Sequence, residues 1–146
     1  MNGMVEAVLE DVAVAGSGEF FVVLLKTLAG DFLPITIGHP EALSILAGRS
    51  QEPPSRPLAH DLMLSSLELL GASLNRVEIT ELVTTPDGGT FYARVILEGR
   101  GIELDLDARP SDALALAVRV GVPIWVSETV LEQAGMTDFG SGGAEA

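Results

Sequence analysis

The chain has 146 residues, 47% of them hydrophobic, and a formal net charge of −13. That hydrophobic share excludes a disordered chain, and the length allows one domain, or two fused half-domains, with a core of its own. The absence of Cys excludes disulfides and thiolate metal sites, and two His residues exclude a His-rich zinc centre.

In chain order, Val5 to Val14 reads as a strand, Gly16-Ser17-Gly18 as a turn, and Phe20 to Thr27 and Phe32 to Ile37 as two more strands. Branched and aromatic residues bounded by Gly, Pro and Asp predict antiparallel hairpins. Pro40 to Ala47 follows as a short helix, and Gln51 to Arg56, with Pro53-Pro54, as a stiff linker. Pro57 to Leu70 is predicted helical because Leu58, Leu62, Met63, Leu67 and Leu70 recur at helical spacing. The second half repeats the order: strand Arg76 to Thr84, turn Pro86 to Gly89, strand Thr90 to Leu97, turn Gly99-Arg100-Gly101, strand Ile102 to Asp107. Helix Pro110 to Val120, closed by Gly121, has almost no polar face and is expected to be buried. A short strand, Pro123 to Val126, precedes a last helix that stops at Gly135; the small, polar tail from Gly140 is expected to be disordered.

Residues 71 positions apart match without gaps: Glu10 with Glu81, Val12 with Val83, Phe20 with Phe91, and Glu41-Ala42-Leu43 with Asp112-Ala113-Leu114 (112 − 41). One offset that aligns strand, turn and helix signals together predicts one unit used twice. The expected fold class is therefore α+β. A duplicated unit of antiparallel strands followed by helices forms two similar halves, about 4–71 and 75–135, of one compact domain spanning 1–139. The longest apolar runs, Phe20 to Leu25 and Ala113 to Val118, are too short to span a bilayer. No basic-then-apolar leader follows Met1, so a cytoplasmic location with no membrane partner is expected.

The acidic balance bears on partners. A chain that holds nucleic acid by neutralising phosphates usually carries a basic face. Here Arg49, Arg56, Arg76, Arg94, Arg100, Arg109 and Arg119 are scattered among 21 acidic residues. A polyanionic partner requires a divalent cation or a local Arg cluster to reverse the field at the site.

Two stretches could carry chemistry. Asp105-Leu-Asp107-Ala-Arg109-Pro-Ser-Asp112 ends a strand and opens a helix. Asp105 and Asp107 share a strand face and repel unless a positive group sits between them, while Asp112 is presented by the helix N-terminus. Such oxygen clusters suit Mg²⁺ or Mn²⁺, yet an acid in a first helical turn is also favoured by the helix dipole alone, by ~0.3–1 kcal/mol. His60-Asp61 opens the helix after the linker, with His60 about 100° around the helix from Asp61. This pair suits a general base, and equally a partly exposed His beside a first-turn acid.

Leu33-Pro-Ile-Thr-Ile-Gly38 with Glu41-Ala42, Arg56-Pro-Leu-Ala-His60-Asp61-Leu62, Asp107-Ala-Arg-Pro-Ser-Asp112 and Gly121-Val-Pro-Ile-Trp-Val126 together resemble the bifunctional nuclease domain family. The resemblance covers residues 4 to 136. It implies DNase and RNase activity, a nucleic acid (DNA or RNA) as substrate, and an α+β fold with internal duplication. It places Glu41, His60, Asp61, Arg109 and Asp112 at the family's motif positions. On that basis the expected roles are a Mg²⁺ or Mn²⁺ held by Glu41, Asp107 and Asp112, His60 oriented by Asp61 as general acid or base, and Arg109 as a phosphate clamp. A homo-oligomer is expected. The alternative is a non-catalytic binding or regulatory module that uses the same polar pocket.

Overall fold

Strands β1 (Met4–Ala15), β2 (Phe20–Thr27) and β3 (Phe32–Ile37) form an antiparallel meander that runs into helix α1 (His39–Arg49). The computed structural model describes residues 2–50 and 52–137, so Gln51 of the expected linker and the tail from Gly140 lie outside the described residues. Helix α2 (Ala59–Leu69) leads into a second meander, β4 (Ala72–Thr85), β5 (Gly88–Gly99) and β6 (Ile102–Ala108), and this in turn into α3 (Pro110–Val120). Strand β7 (Ile124–Ser127) and helix α4 (Glu128–Ala134) close the described chain.

All seven strands join one sheet in the order β3-β2-β1-β7-β4-β5-β6. The fold is thus mixed α+β. Within each meander pairing is antiparallel, but β7 enters the middle, antiparallel to β1 and parallel to β4. One parallel pair therefore departs from the antiparallel expectation. A four-residue strand reached through a helix can add to an existing strand in either sense, because the crossover absorbs the reversal. The two hairpins also differ: Ala15 pairs with Phe20 across residues 16–19, whereas Thr85 pairs with Gly88 across residues 86–87.

Alternation buries one face of β2, of edge strand β3, and of β4 and β5. Val23 and Leu25, Leu33 and Ile35, Val77 and Ile79, and Ala93, Val95 and Leu97 meet the helices in one hydrophobic core. Pro110 and Ser111 and the run Ala113 to Ala117 of α3 are buried, as its missing polar face requires. Close α1–α3 packing depends on Gly48, where a Cβ would stand 2.8 Å from Val118 Cγ2 and 2.7 Å from an Arg119 guanidinium nitrogen. Edge strand β6 is different: Ile102, Leu104 and Leu106 are all about half exposed.

Candidate active site

Three helix starts converge. Gly38 precedes α1, and a Cβ there would collide with the Glu41 carboxylate, so the glycine lets Glu41 fold back over the first turn. Arg109 precedes α3, Pro110 sets its first turn, and Asp112 lies in that turn. Asp61 accepts the Leu58 N–H at 2.8 Å and thereby caps α2, which leaves His60 pointing inward as the buried residue of that helix.

These ends meet in one chain of hydrogen bonds. The guanidinium of Arg109 donates to Asp112 through Nε (2.9 Å to Oδ2) and a terminal nitrogen (3.2 Å to Oδ1). Its other terminal nitrogen lies 3.4 Å from Glu41 Oε2. His60 Nε2 is 2.9 Å from Asp112 Oδ1, and His60 Nδ1 is 2.6 Å from Ser44 Oγ. Arg119 donates to Ser44 Oγ (3.3 Å), the Ser44 carbonyl (3.0 Å), the Ala115 carbonyl (2.8 Å) and Asp61 Oδ1 (2.8 Å).

Donor and acceptor roles fix a polarity. The Asp112 carboxylate can only accept, so His60 Nε2 donates to it; in a neutral His60 Nδ1 is then the acceptor and accepts from the Ser44 hydroxyl, while Ser44 Oγ accepts from Arg119.

Glu41, His60, Arg109 and Asp112 are therefore brought together, and Asp61 joins through Arg119. The partner of His60 is Asp112, however, and not Asp61. Residue Asp61 faces its helix end and Arg119, in keeping with the ~100° between neighbouring side chains. Asp107 makes none of these contacts. It sits opposite Arg94 on β5, and Arg94 Nε is 3.4 Å from Asp105 Oδ1. This arginine is the positive group that two acids on one strand face require. Ser44 and Arg119 escaped the sequence reading. The usable signal was spacing: Ser44 lies one turn beyond Glu41, and Arg119 two turns beyond Asp112.

Burial is the largest single influence on Asp112 and raises its pKa, but hydrogen bonds and charge from Arg109 and His60 outweigh it and hold the carboxyl below its ordinary value. The Leu58 N–H and then Arg119 hold Asp61 low as well. Hydrogen bonding to Asp112 raises Arg109 further. His60 is 8% exposed, whereas the Arg109 side chain is 63% exposed at the mouth of a cleft of about 450 Å³. Ser44, His60, Met63 and Asp112 line that cleft.

The expected divalent-cation site does not fit this arrangement. Among the described residues no three His, Cys, Asp or Glu side chains form a metal-holding group. Glu41 and Asp112 both pair with the guanidinium of Arg109, so a cation between them would have to displace it.

Fold and site together define a mixed α+β domain with a buried imidazole relayed between a serine and a carboxylate, and an arginine at the cleft mouth. The chain belongs to the bifunctional nuclease domain family, whose model matches residues 22–138. It is 47% identical over 116 residues to an uncharacterized protein of Mycobacterium tuberculosis, a match covering 79% of this chain and 66% of that protein. It is 29% identical over 125 residues to bifunctional nuclease 1 of Oryza sativa subsp. japonica (82% of this chain, 37% of the relative). Bifunctional nuclease 2 of Arabidopsis thaliana is 27% identical over 124 residues (83% and 36%). The chain thus spans just under two thirds of the mycobacterial relative and little over a third of the plant proteins. Among the described residues no helix is long and apolar enough to cross a membrane.

Proposed function

We propose that this chain hydrolyses phosphodiester bonds of DNA and RNA with low sequence specificity, at the cleft formed by Arg109, Asp112 and His60. The observation that carries this is His60, buried yet on the cleft wall, its Nε2 tied to Asp112 and its Nδ1 turned to Ser44. Arg109 binds two non-bridging oxygens of the scissile phosphate with its planar fork. A water that takes the place of the Ser44 hydroxyl at His60 Nδ1 loses its proton to that nitrogen as it attacks phosphorus; the P–O bond to the leaving sugar oxygen breaks, and that oxygen takes a proton from solvent. Asp112 stabilises the imidazolium that forms, and Arg119 holds the Ser44 backbone carbonyl and Asp61 in place while the hydroxyl turns aside. The attacking group comes from outside the substrate, so no 2′-hydroxyl is needed, which suits action on both nucleic acids.

A divalent cation on Glu41 and Asp112 requires Arg109 to leave them, and no step above is routed through one. The alternative is a non-catalytic binding or regulatory module, favoured by the −13 charge and by Arg76, Arg94, Arg109 and Arg119 all being ion-paired within the chain. Cleavage of labelled single-stranded DNA and RNA by wild type and His60→Ala separates the two. A drop of ~10²-fold or more in the variant is expected for a lost general base. Equal rates, or no cleavage by wild type, leave the module.

We infer a homo-oligomer and one duplicated ancestral unit. The oligomer has support in the exposed Leu69, Leu70, Ile102 and Leu104, and sedimentation velocity tests it. For duplication, the support is the repeated order of meander and eleven-residue helix; the differing hairpin registers weigh against it.

A further inference from the structure

A second cavity, of about 500 Å³ and almost wholly apolar, opens between α2 and strands β5 and β6. Leu62, Met63 and Leu67 form one wall, and Val95, Leu97 and Leu106 the other. Met63 and Asp112 line this groove and the His60 cleft alike, so the two lie side by side. Leu62 is 61% exposed and Leu106 51%, so apolar surface at the groove stands open to water beside a strongly polar site.

A shortage of charge gives this groove its meaning. Polyanion binders usually draw affinity from many Lys and Arg contacts. This chain has eight Lys plus Arg against 21 acids, and Arg76, Arg94 and Arg119 are spent on internal carboxylates. At the cleft one guanidinium, Arg109, is exposed; it pairs with Asp112 and Glu41 as well, and only its outward N–H groups are left for a phosphate. Any nucleic acid held there must gain its affinity from something other than charge.

We propose that the groove between α2 and β5–β6 receives an unpaired nucleobase of a single strand whose neighbouring phosphate lies on Arg109. The proposal rests on reading the cleft as a phosphodiester site. A base presents two apolar faces, and pockets that hold extruded bases sandwich them between apolar or aromatic side chains. Leu62, Met63 and Leu106 supply such surfaces, with the Met63 thioether suited to a ring edge. Only Ser66, Asp107 and Asp112 add polar groups to the aliphatic lining, so little hydrogen-bond pattern is read and sequence preference is low. A paired base cannot reach the groove without leaving its stack, so duplexes are poor ligands.

The test is fluorescence anisotropy of an end-labelled, unstructured thymidine oligonucleotide with the full chain carrying His60→Ala, which prevents turnover. With one phosphate neutralised, affinity falls only about threefold between 50 and 200 mM salt, against roughly 10³–10⁵ for a binder with six to ten phosphate contacts. An abasic oligonucleotide of equal charge, and the same strand in a duplex, bind at least about tenfold more weakly. Leu62→Gln and Leu106→Gln, at exposed positions, weaken binding similarly while melting as wild type does. Equal binding of the abasic strand, a steep salt slope, no binding at all, or unaltered affinity in both variants overturns the proposal. So does a variant that changes the sedimentation coefficient and not oligonucleotide affinity, since the groove then faces a second copy. Base-dependent binding without wild-type cleavage leaves the groove standing and removes the nuclease reading; cleavage without base dependence does the reverse.

Discussion

Replacing Arg119 with Met separates the support of the site from its chemistry. The variant keeps most of the aliphatic stem but deletes a guanidinium that is 7% exposed and makes four hydrogen bonds across α1, α2 and α3. Breaking a buried ion pair costs about 3–5 kcal/mol, because the remaining charge stays uncompensated. Here Asp61 is 29% exposed and retains the Leu58 N–H, so water recovers part of that cost. The orphaned Ser44 carbonyl adds to it. We expect a loss of about 2–3 kcal/mol, read as a lower urea midpoint with an unchanged m-value. Arg119→Lys keeps the charge without the fork and loses less. A second readout is specific to the relay: without a donor from Arg119 the Ser44 hydroxyl turns freely, and in ¹⁵N spectra of His60 the Nδ1 signal moves as it loses the Ser44 proton while Nε2, held by Asp112, does not. A loss under about 1 kcal/mol with unaltered His60 signals would refute the idea that Arg119 braces the imidazole.

Asp112→Asn keeps the shape of the first turn but removes the charge that Arg109 and His60 pair with, so stability falls by about 1–2 kcal/mol while cleavage drops ~10²-fold or more, provided both are measured on one preparation. Because the folded Asp112 carboxyl lies below its ordinary 3.8, its contribution is fully present above that value and is lost as pH falls through the lower folded value. The stability gap between wild type and Asp112→Asn therefore stays flat from neutrality to about pH 4 and narrows below it; narrowing already at pH 5–6 would assign the linkage to another group. Cleavage persists in excess EDTA if Arg109 remains between Glu41 and Asp112, whereas abolition by EDTA with rescue by Mn²⁺ would show that the arginine yields to a cation. Gly48→Ala gains up to ~1 kcal/mol of helix propensity but drives a methyl into Val118 and Arg119, for a net loss of about 1–2 kcal/mol by thermal melting; a stabilised variant would mean the two helices separate freely.

Local sequence determined the elements. Period-two runs such as Phe20 to Thr27 and Phe32 to Ile37 can bury one face only as strands, and Pro110 to Val120, bracketed by Pro and Gly121, can lie only as a buried helix. The motif positions Glu41, His60, Arg109 and Asp112 were legible through the family resemblance, and each lies at a helix start: Pro40 and Pro110 sit in the first turns of α1 and α3, and Pro57 precedes α2. What local pattern could not determine is which ends meet. Strand β7 lies between the two meanders because it buries Ile124 and Val126 there, and no neighbour in sequence specifies that slot. The partner of His60 is 52 residues away, not adjacent, because side chains one apart on a helix diverge while three packed helix starts converge. Ser44 and Arg119 look like ordinary helix residues until α1 and α3 close over Gly48. Asp107, beside Asp112 in sequence, falls on the Arg94 face of β6 because strand alternation, and not proximity along the chain, decides where a side chain points.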